Sequence, residues 1–275
     1  MVAIFHAIIL GIIEGLTEFL PISSTGHLIV AEHAIGYKDA AQTFTVVVQI
    51  GSIAAVAWYY RRDLWARSVG LFKGVEGARR FWLNIVIATI PAGLVGLALN
   101  KTLEKYALPA TVAVSLIIGG IILLIAEARF VGQRHRDGLK IDSITPKQAL
   151  GVGLAQVVSL VPGVSRSGAT IVGGMFAGLN RITAATFSFY LSLPILGLAT
   201  IYKLFKSRHE LGSLPGGISA LAVGTIAAFI SALLVVSWLL KYISRHDFKL
   251  FAYYRLAFGA LILLLLAVGV LSNSI

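Results

Sequence analysis

Two apolar segments of this chain are interrupted in the same way, and that shared break limits the fold more than any other feature. Residues 4–35 are broken at Pro21-Ile22-Ser23-Ser24-Thr25-Gly26, and residues 148–179 at Pro162-Gly163-Val164-Ser165-Arg166-Ser167-Gly168. Each reads as helix, polar turn, helix. Neither half has the ~20 apolar residues that a membrane span needs. Non-helical backbone at membrane depth survives only where protein or a wet cavity surrounds it. The polar content of both breaks therefore favours re-entrant hairpins over a pair of kinked helices flanking an extramembrane loop.

Six other stretches are long and apolar enough to cross as helices: 43–60, 82–99, 111–128, 184–202, 217–240 and 250–271. The composition agrees, with 57% hydrophobic and 13% charged residues where a soluble domain carries roughly 25% charged. The fold class that follows is an all-α polytopic membrane protein. The first apolar run has no basic region before it and leads into two glutamates, so it reads as part of the mature fold rather than a cleaved signal. The absence of cysteine excludes a zinc-thiolate site, a disulfide framework and a cysteine nucleophile.

The two halves also match in order. At an offset of 142 residues Glu14 meets Gln156, Ser23 meets Ser165, Ser24 meets Arg166, Thr25 meets Ser167 and Gly26 meets Gly168. Residues 1–130 thus form one repeat of a broken hairpin plus three spans. Residues 131–146 form a cytoplasmic linker, and 147–275 a second repeat. An odd number of spans per repeat makes the second inverted relative to the first. Loop charge orients the pair. With 61–80 inside, the cytoplasmic loops hold 15 Lys and Arg against 6 opposite, which places both termini outside. The net charge of +11 then reports topology, and nucleic acid is not a partner. The hairpins would enter from opposite sides, their polar tips meeting near the middle.

Ionisable groups at membrane depth are expensive and functional by default. Here they are Glu14, Glu18, His27, Arg166 and Arg255; Glu127, at a span end, reads as interfacial. Glu14 and Glu18 are one helical turn apart on one face, so in a low dielectric they share a proton or hold a divalent cation, Mg²⁺ or Ca²⁺. Ser23, Ser24 and Thr25 precede a helix start, whose free N–H groups suit an anion. Ser165, Ser167, Gly168 and Thr170 repeat that design beside the guanidinium of Arg166. This is a setting for a phosphate group. Ser24 with His27 one turn on suits attack on phosphorus, by serine or by His-assisted water. Arg255, five residues into the last span, reads either as a site residue or as snorkelling to the interface. The two glutamates and two arginines balance to zero, so a buried phosphate would need a further cation.

Glu14-Gly-Leu-Thr-Glu18-Phe-Leu-Pro-Ile-Ser-Ser-Thr-Gly-His27 and Pro162-Gly-Val-Ser-Arg-Ser-Gly-Ala-Thr170 resemble the two signatures of the bacterial undecaprenyl-diphosphate phosphatases of the BacA/UppP type. The resemblance covers essentially the whole chain. It implies a bacterial inner-membrane hydrolase that converts undecaprenyl diphosphate to undecaprenyl phosphate plus phosphate. That reaction recycles the lipid carrier of peptidoglycan synthesis and is associated with bacitracin resistance. It further implies Glu14 and Glu18 as the metal-linked pair, with Ser23, Ser24, Thr25 and His27 in the catalytic loop. Ser165, Arg166, Ser167, Gly168 and Thr170 would bind phosphate together with Arg255. A homodimer is kept open. The competing reading is a lipid-carrier flippase, since inverted repeats with broken helices are transporter architecture.

Overall fold

The computed structural model describes residues 2–37, 43–130, 140–207 and 214–273. Among these the chain forms eleven α-helices and no strand. They are α1 Val2–Thr17, α2 Ser24–Ile35, α3 Thr43–Tyr59, α4 Arg61–Phe72, α5 Glu76–Lys105, α6 Pro109–Arg129, α7 Pro146–Val158, α8 Arg166–Phe176, α9 Arg181–Lys206, α10 Gly217–Ile243 and α11 Lys249–Ala267. Most of the linker expected at 131–146 lies outside the described residues.

Five helices (α5, α6, α9, α10 and α11) are long and apolar enough to cross a membrane, and α3 joins them when taken together with α4. The six expected spans are all helical. Their outer faces are apolar, with Leu94, Ile118, Leu198, Ile226, Leu234 and Leu264 exposed. This is what lipid solvates and water does not.

The interrupted segments fold back on themselves. In the second, Gly173 on α8 lies against Ala155 on α7, and Gly151 faces Ala177; in the first, His6 on α1 meets Tyr37 beyond α2, ring centroids 6.3 Å apart. Their helices have 16, 12, 13 and 11 residues, short of the ~20 a crossing requires.

Packing partners are exchanged between the halves. Helix α1 packs on α10 and α7 packs on α5, while α3 meets α9 and α6 meets α11. Small residues permit this closeness. A Cβ on Gly11 would sit 2.2 Å from the Gly224 carbonyl oxygen, and one on Gly153 would sit 2.7 Å from that of Ala88. Each hairpin is thus clamped by a span from the other half, and the two breaks are brought to one place.

Two expectations fail. Residues 61–72, expected as loop, form α4, bent 72° from α3. Arg61, Arg62, Asp63 and Arg67 sit there among exposed Trp65, Leu71 and Phe72, the composition of a helix lying along an interface. Glu127 is not interfacial either. It is 1% exposed and accepts from Arg181 Nε at 2.9 Å and from the Phe248 amide at 3.1 Å. This buried pair ties the ends of α6, α9 and α11 together.

Candidate active site

Both breaks end in a serine with left-handed backbone, Ser23 (φ 70°) and Ser165 (φ 72°), the two non-glycine residues with positive φ among those described. Such geometry costs of order 1–3 kcal/mol unless the surroundings impose it. It recurs here at equivalent positions of two hairpins. Each serine turns the chain sharply into a helix, α2 or α8. Ser165 Oγ accepts from the Gly168 amide at 3.1 Å and so caps α8, whereas Ser23 makes no side-chain cap.

The turns meet. Arg166, first residue of α8, reaches across and donates from Nη2 to Glu18 Oε1 at 3.0 Å. Its Nη1 donates to the Ser188 carbonyl oxygen at 2.9 Å, and its Nε is buried without a partner. Glu18 Oε2 accepts from Ser24 Oγ at 2.6 Å and from Gln49 Nε2 at 3.3 Å. Ser167 Oγ donates to the Leu20 carbonyl oxygen at 2.8 Å. Glu18, Ser24 and Arg166 thus form one chain of contacts between the hairpins.

Glu14 lies one turn before Glu18, 1% exposed. Neither of its oxygens has a partner of hydrogen-bonding geometry, although Gln49 is near enough to interact with it. A buried carboxylate cannot remain charged and unpartnered. It demands a proton or a cation. With Glu18 one turn on, the ligands offered are carboxylate oxygens, which suit Mg²⁺ or Ca²⁺. No cluster of three or more acidic or histidine groups exists among the described residues, so such an ion would need further oxygens from the substrate or from water.

Arg255 does not snorkel. It is 1% exposed, and its guanidinium donates to five carbonyl oxygens: Leu116 at 3.2 Å, Ser115 at 3.1 Å, Pro21 at 3.2 Å, Val164 at 3.0 Å and Gly163 at 3.4 Å. It therefore bonds both breaks and α6 at once, and its positive charge sits under the site with no carboxylate partner among the described residues. Gly119 makes room for it, since a Cβ there would lie 2.0 Å from Nη2.

The structure does not join Ser24 to His27. Nδ1 of His27 lies 2.7 Å from the Ser23 carbonyl oxygen and Nε2 lies 2.6 Å from the Tyr254 hydroxyl. A carbonyl only accepts, so Nδ1 carries hydrogen. The ring stacks on Phe258 with centroids 4.3 Å apart. Thr170 Oγ1 also turns inward, donating to the Arg166 carbonyl oxygen at 2.8 Å and pairing with Ser188 Oγ at 2.6 Å. Thr25 is half-buried at the start of α2.

Gln49, Ser188 and Tyr254 escaped the sequence reading, which searched the spans for ionisable groups and the breaks for hydroxyls. Gln49 and Ser188 could have been flagged as polar residues in the middle of apolar spans. Nothing in the sequence pairs Tyr254 with His27, 227 positions away.

Comparison with known proteins adds an independent line. Residues 7–261 match the family described as bacitracin resistance protein BacA. Undecaprenyl-diphosphatase 1 of Paraburkholderia xenovorans is 49% identical over 265 residues, covering 94% of this chain and 93% of that protein. Undecaprenyl-diphosphatase 1 of Burkholderia ambifaria is 48% identical over 266 residues, covering 96% and 95%. Undecaprenyl-diphosphatase of Nitrosomonas eutropha is 45% identical over 276 residues, covering 98% and 97%.

Proposed function

The chain belongs to the family of bacitracin resistance protein BacA, and we propose that its joined hairpin tips are where it hydrolyses undecaprenyl diphosphate to undecaprenyl phosphate and inorganic phosphate. The activity follows from relatives of that name at near-complete coverage. It returns the lipid carrier to cell-wall synthesis and underlies bacitracin resistance.

The observation that carries the mechanism is the 2.6 Å contact from Ser24 Oγ to Glu18 Oε2. Glu18 takes the hydroxyl proton as the serine oxygen attacks the terminal phosphorus. The anhydride P–O bond breaks, and undecaprenyl phosphate leaves with its bridging oxygen. Glu18 passes that proton to the leaving undecaprenyl phosphate; water then attacks the phosphoserine, losing its proton to Glu18, which returns it to Ser24 Oγ as inorganic phosphate leaves. Arg166, fixed by Glu18 and the Ser188 carbonyl, turns its unpartnered Nε toward phosphoryl charge as it develops. Glu14 and Glu18 would hold a divalent cation, which supplies charge neutralisation to the two phosphates. His27 takes the part of a positioning residue, its Nδ1–H holding the Ser23 carbonyl and so the strained turn that presents Ser24.

Membrane placement belongs to the same reading. The hairpins enter a bacterial inner membrane from opposite faces, and loop charge puts both termini outside. The repeats are inverted. The Ser24–Glu18 contact favours hydrolysis over transport alone, because a carrier needs a binding site but no nucleophile.

The test is phosphate release from undecaprenyl diphosphate by detergent-solubilised protein, with and without EDTA. Release that EDTA abolishes and Mg²⁺ or Ca²⁺ restores supports the reading. Substrate binding without release would replace it with transport.

A further inference from the structure

Beneath the α8 end of the site lies a half-open cavity of about 460 Å³ between α6, α7 and α8. That volume lies within the roughly 300–1,000 Å³ of small-molecule pockets. At one end it is floored by Gly168 and Arg255, which belong to the joined tips. From there it follows α8 for eight residues to Phe176, about 12 Å at 1.5 Å per residue. Its walls are otherwise apolar, and Val158, Ile122 and Phe176 at its edges are 56%, 43% and 49% exposed.

The other hairpin shows that this space is not a by-product of the architecture. By the offset of 142 residues, Ala169 in the cavity wall corresponds to His27. On the first hairpin the imidazole packs against Tyr254 and Phe258, ring centroids 5.5 Å and 4.3 Å away. On the second hairpin a methyl group stands in its place and the volume stays open. Glycines at 119, 151, 168 and 173 keep the walls low. Among the four, Gly151 has room for a side chain, since a Cβ there meets only Ala177 Cβ, at 3.5 Å.

We propose that this slot holds the head-proximal isoprene units of the substrate, with the diphosphate end at Gly168 and Arg255 and the rest of the chain passing out beside Phe176 into the lipid. Two features favour the substrate's own tail over a bulk lipid. One end of the slot abuts the joined tips at Val164 and Gly168, and that end carries Arg255, whose N–H groups are held by carbonyls but whose uncompensated charge attracts a diphosphate and not a neutral chain. This inference rests on the phosphatase reading above.

The experiment compares undecaprenyl diphosphate with dimethylallyl diphosphate, whose single isoprene unit ends well short of Gly151, on wild type and Gly151→Leu. A leucine fills the slot away from the hydrolytic groups. The ratio of kcat/KM for the long over the short substrate should fall at least tenfold, chiefly through KM for the long chain. An unchanged ratio, or equal loss on both substrates, overturns the slot. If wild type releases phosphate from neither, the phosphatase reading fails first and separately. Should Gly151→Leu not fold, p-benzoylphenylalanine at position 176 gives a second readout. Photocrosslinking to undecaprenyl diphosphate, competed by excess of the same lipid but poorly by dimethylallyl diphosphate, supports the slot. Crosslinking only to membrane phospholipid overturns it.

Discussion

Arg166 Nη2 sits 3.0 Å from Glu18 Oε1, an ion pair between residues 148 positions apart with both side chains at least nine-tenths buried. It joins the two breaks electrostatically and orients the acceptor of the Ser24 proton. Arg166→Ala should lower kcat/KM for phosphate release by about 10²–10³, the usual loss when one preorganised donor to developing charge is removed. It should also destabilise the protein by about 3–5 kcal/mol, because the partner carboxylate is left buried and unpaired. Arg166→Lys keeps the charge without the fork and should fall between the two. Phosphate release and thermal unfolding in detergent measure both effects, and an unchanged kcat/KM in Arg166→Ala would remove this arginine from the mechanism.

Ser24 donates to the other oxygen of the same carboxylate. As nucleophile it should carry phosphate transiently. Acid-quenched turnover of substrate labelled on the terminal phosphate should leave label on Ser24. Ser24→Ala should lose both the label and about 10³ in kcat, within the 10²–10⁴ that positioned proton transfer supplies. Near-normal turnover in that variant would hand the attack to water.

Glu14 is buried with two unpartnered oxygens. Glu14→Gln keeps its shape and removes its charge, so the divalent ion concentration for half-maximal activity should rise by about tenfold or more, by analogy with lost metal-site partners. The titration is run in Mg²⁺ and in Ca²⁺ after EDTA treatment. An identical metal requirement in the variant would leave Glu14 holding a proton instead.

Gly119 and Arg255 form a second testable pair. The absent Cβ leaves the space that the guanidinium occupies. Gly119→Ala should therefore displace Arg255 from the carbonyls of Pro21, Gly163 and Val164 and loosen both breaks. Its effects on turnover and unfolding should resemble those of Arg255→Ala. The double variant should show much less than the sum of the two, as residues sharing one interaction do. Additive losses would mean that Gly119 acts through something other than Arg255.

Much of this was legible in the sequence because the membrane simplifies the problem. Six apolar runs and two broken ones translate directly into helices when every backbone group must be satisfied internally. The few charges left in apolar segments mark the site, and Glu14, Glu18 and Arg166 do converge. What could not be read was direction. Ser24 and His27 are three residues apart on one helix, and spacing suggests a dyad. The structure instead turns the hydroxyl to Glu18 and the ring to Tyr254, because the partner helices decide which side of α2 is polar. Glu127 was misplaced for the same reason: its partner Arg181 is 54 positions away. The charged stretch after α3 hid α4, whose exposed aromatic residues suit an interface and have no place in a span search.

The two strained serines allow a prediction in which the halves should differ. Ser23 and Ser165 share a left-handed backbone, but only Ser165 uses its side chain locally, accepting from Gly168 and pairing with Ser167 Oγ at 3.1 Å. Glycine at either position relieves strain of order 1–3 kcal/mol and costs about 0.4–1 kcal/mol through greater freedom of the unfolded chain. Ser23→Gly loses no cap and should stabilise the protein by about 1 kcal/mol. Ser165→Gly also gives up hydrogen bonds of about 1 kcal/mol each and should be neutral or destabilising. Thermal unfolding of the two variants in one detergent compares them directly. If Ser165→Gly proved the more stable, the strain would be held by something other than the cap, and the assignment of Ser165 as the residue that fixes the start of α8 would fall.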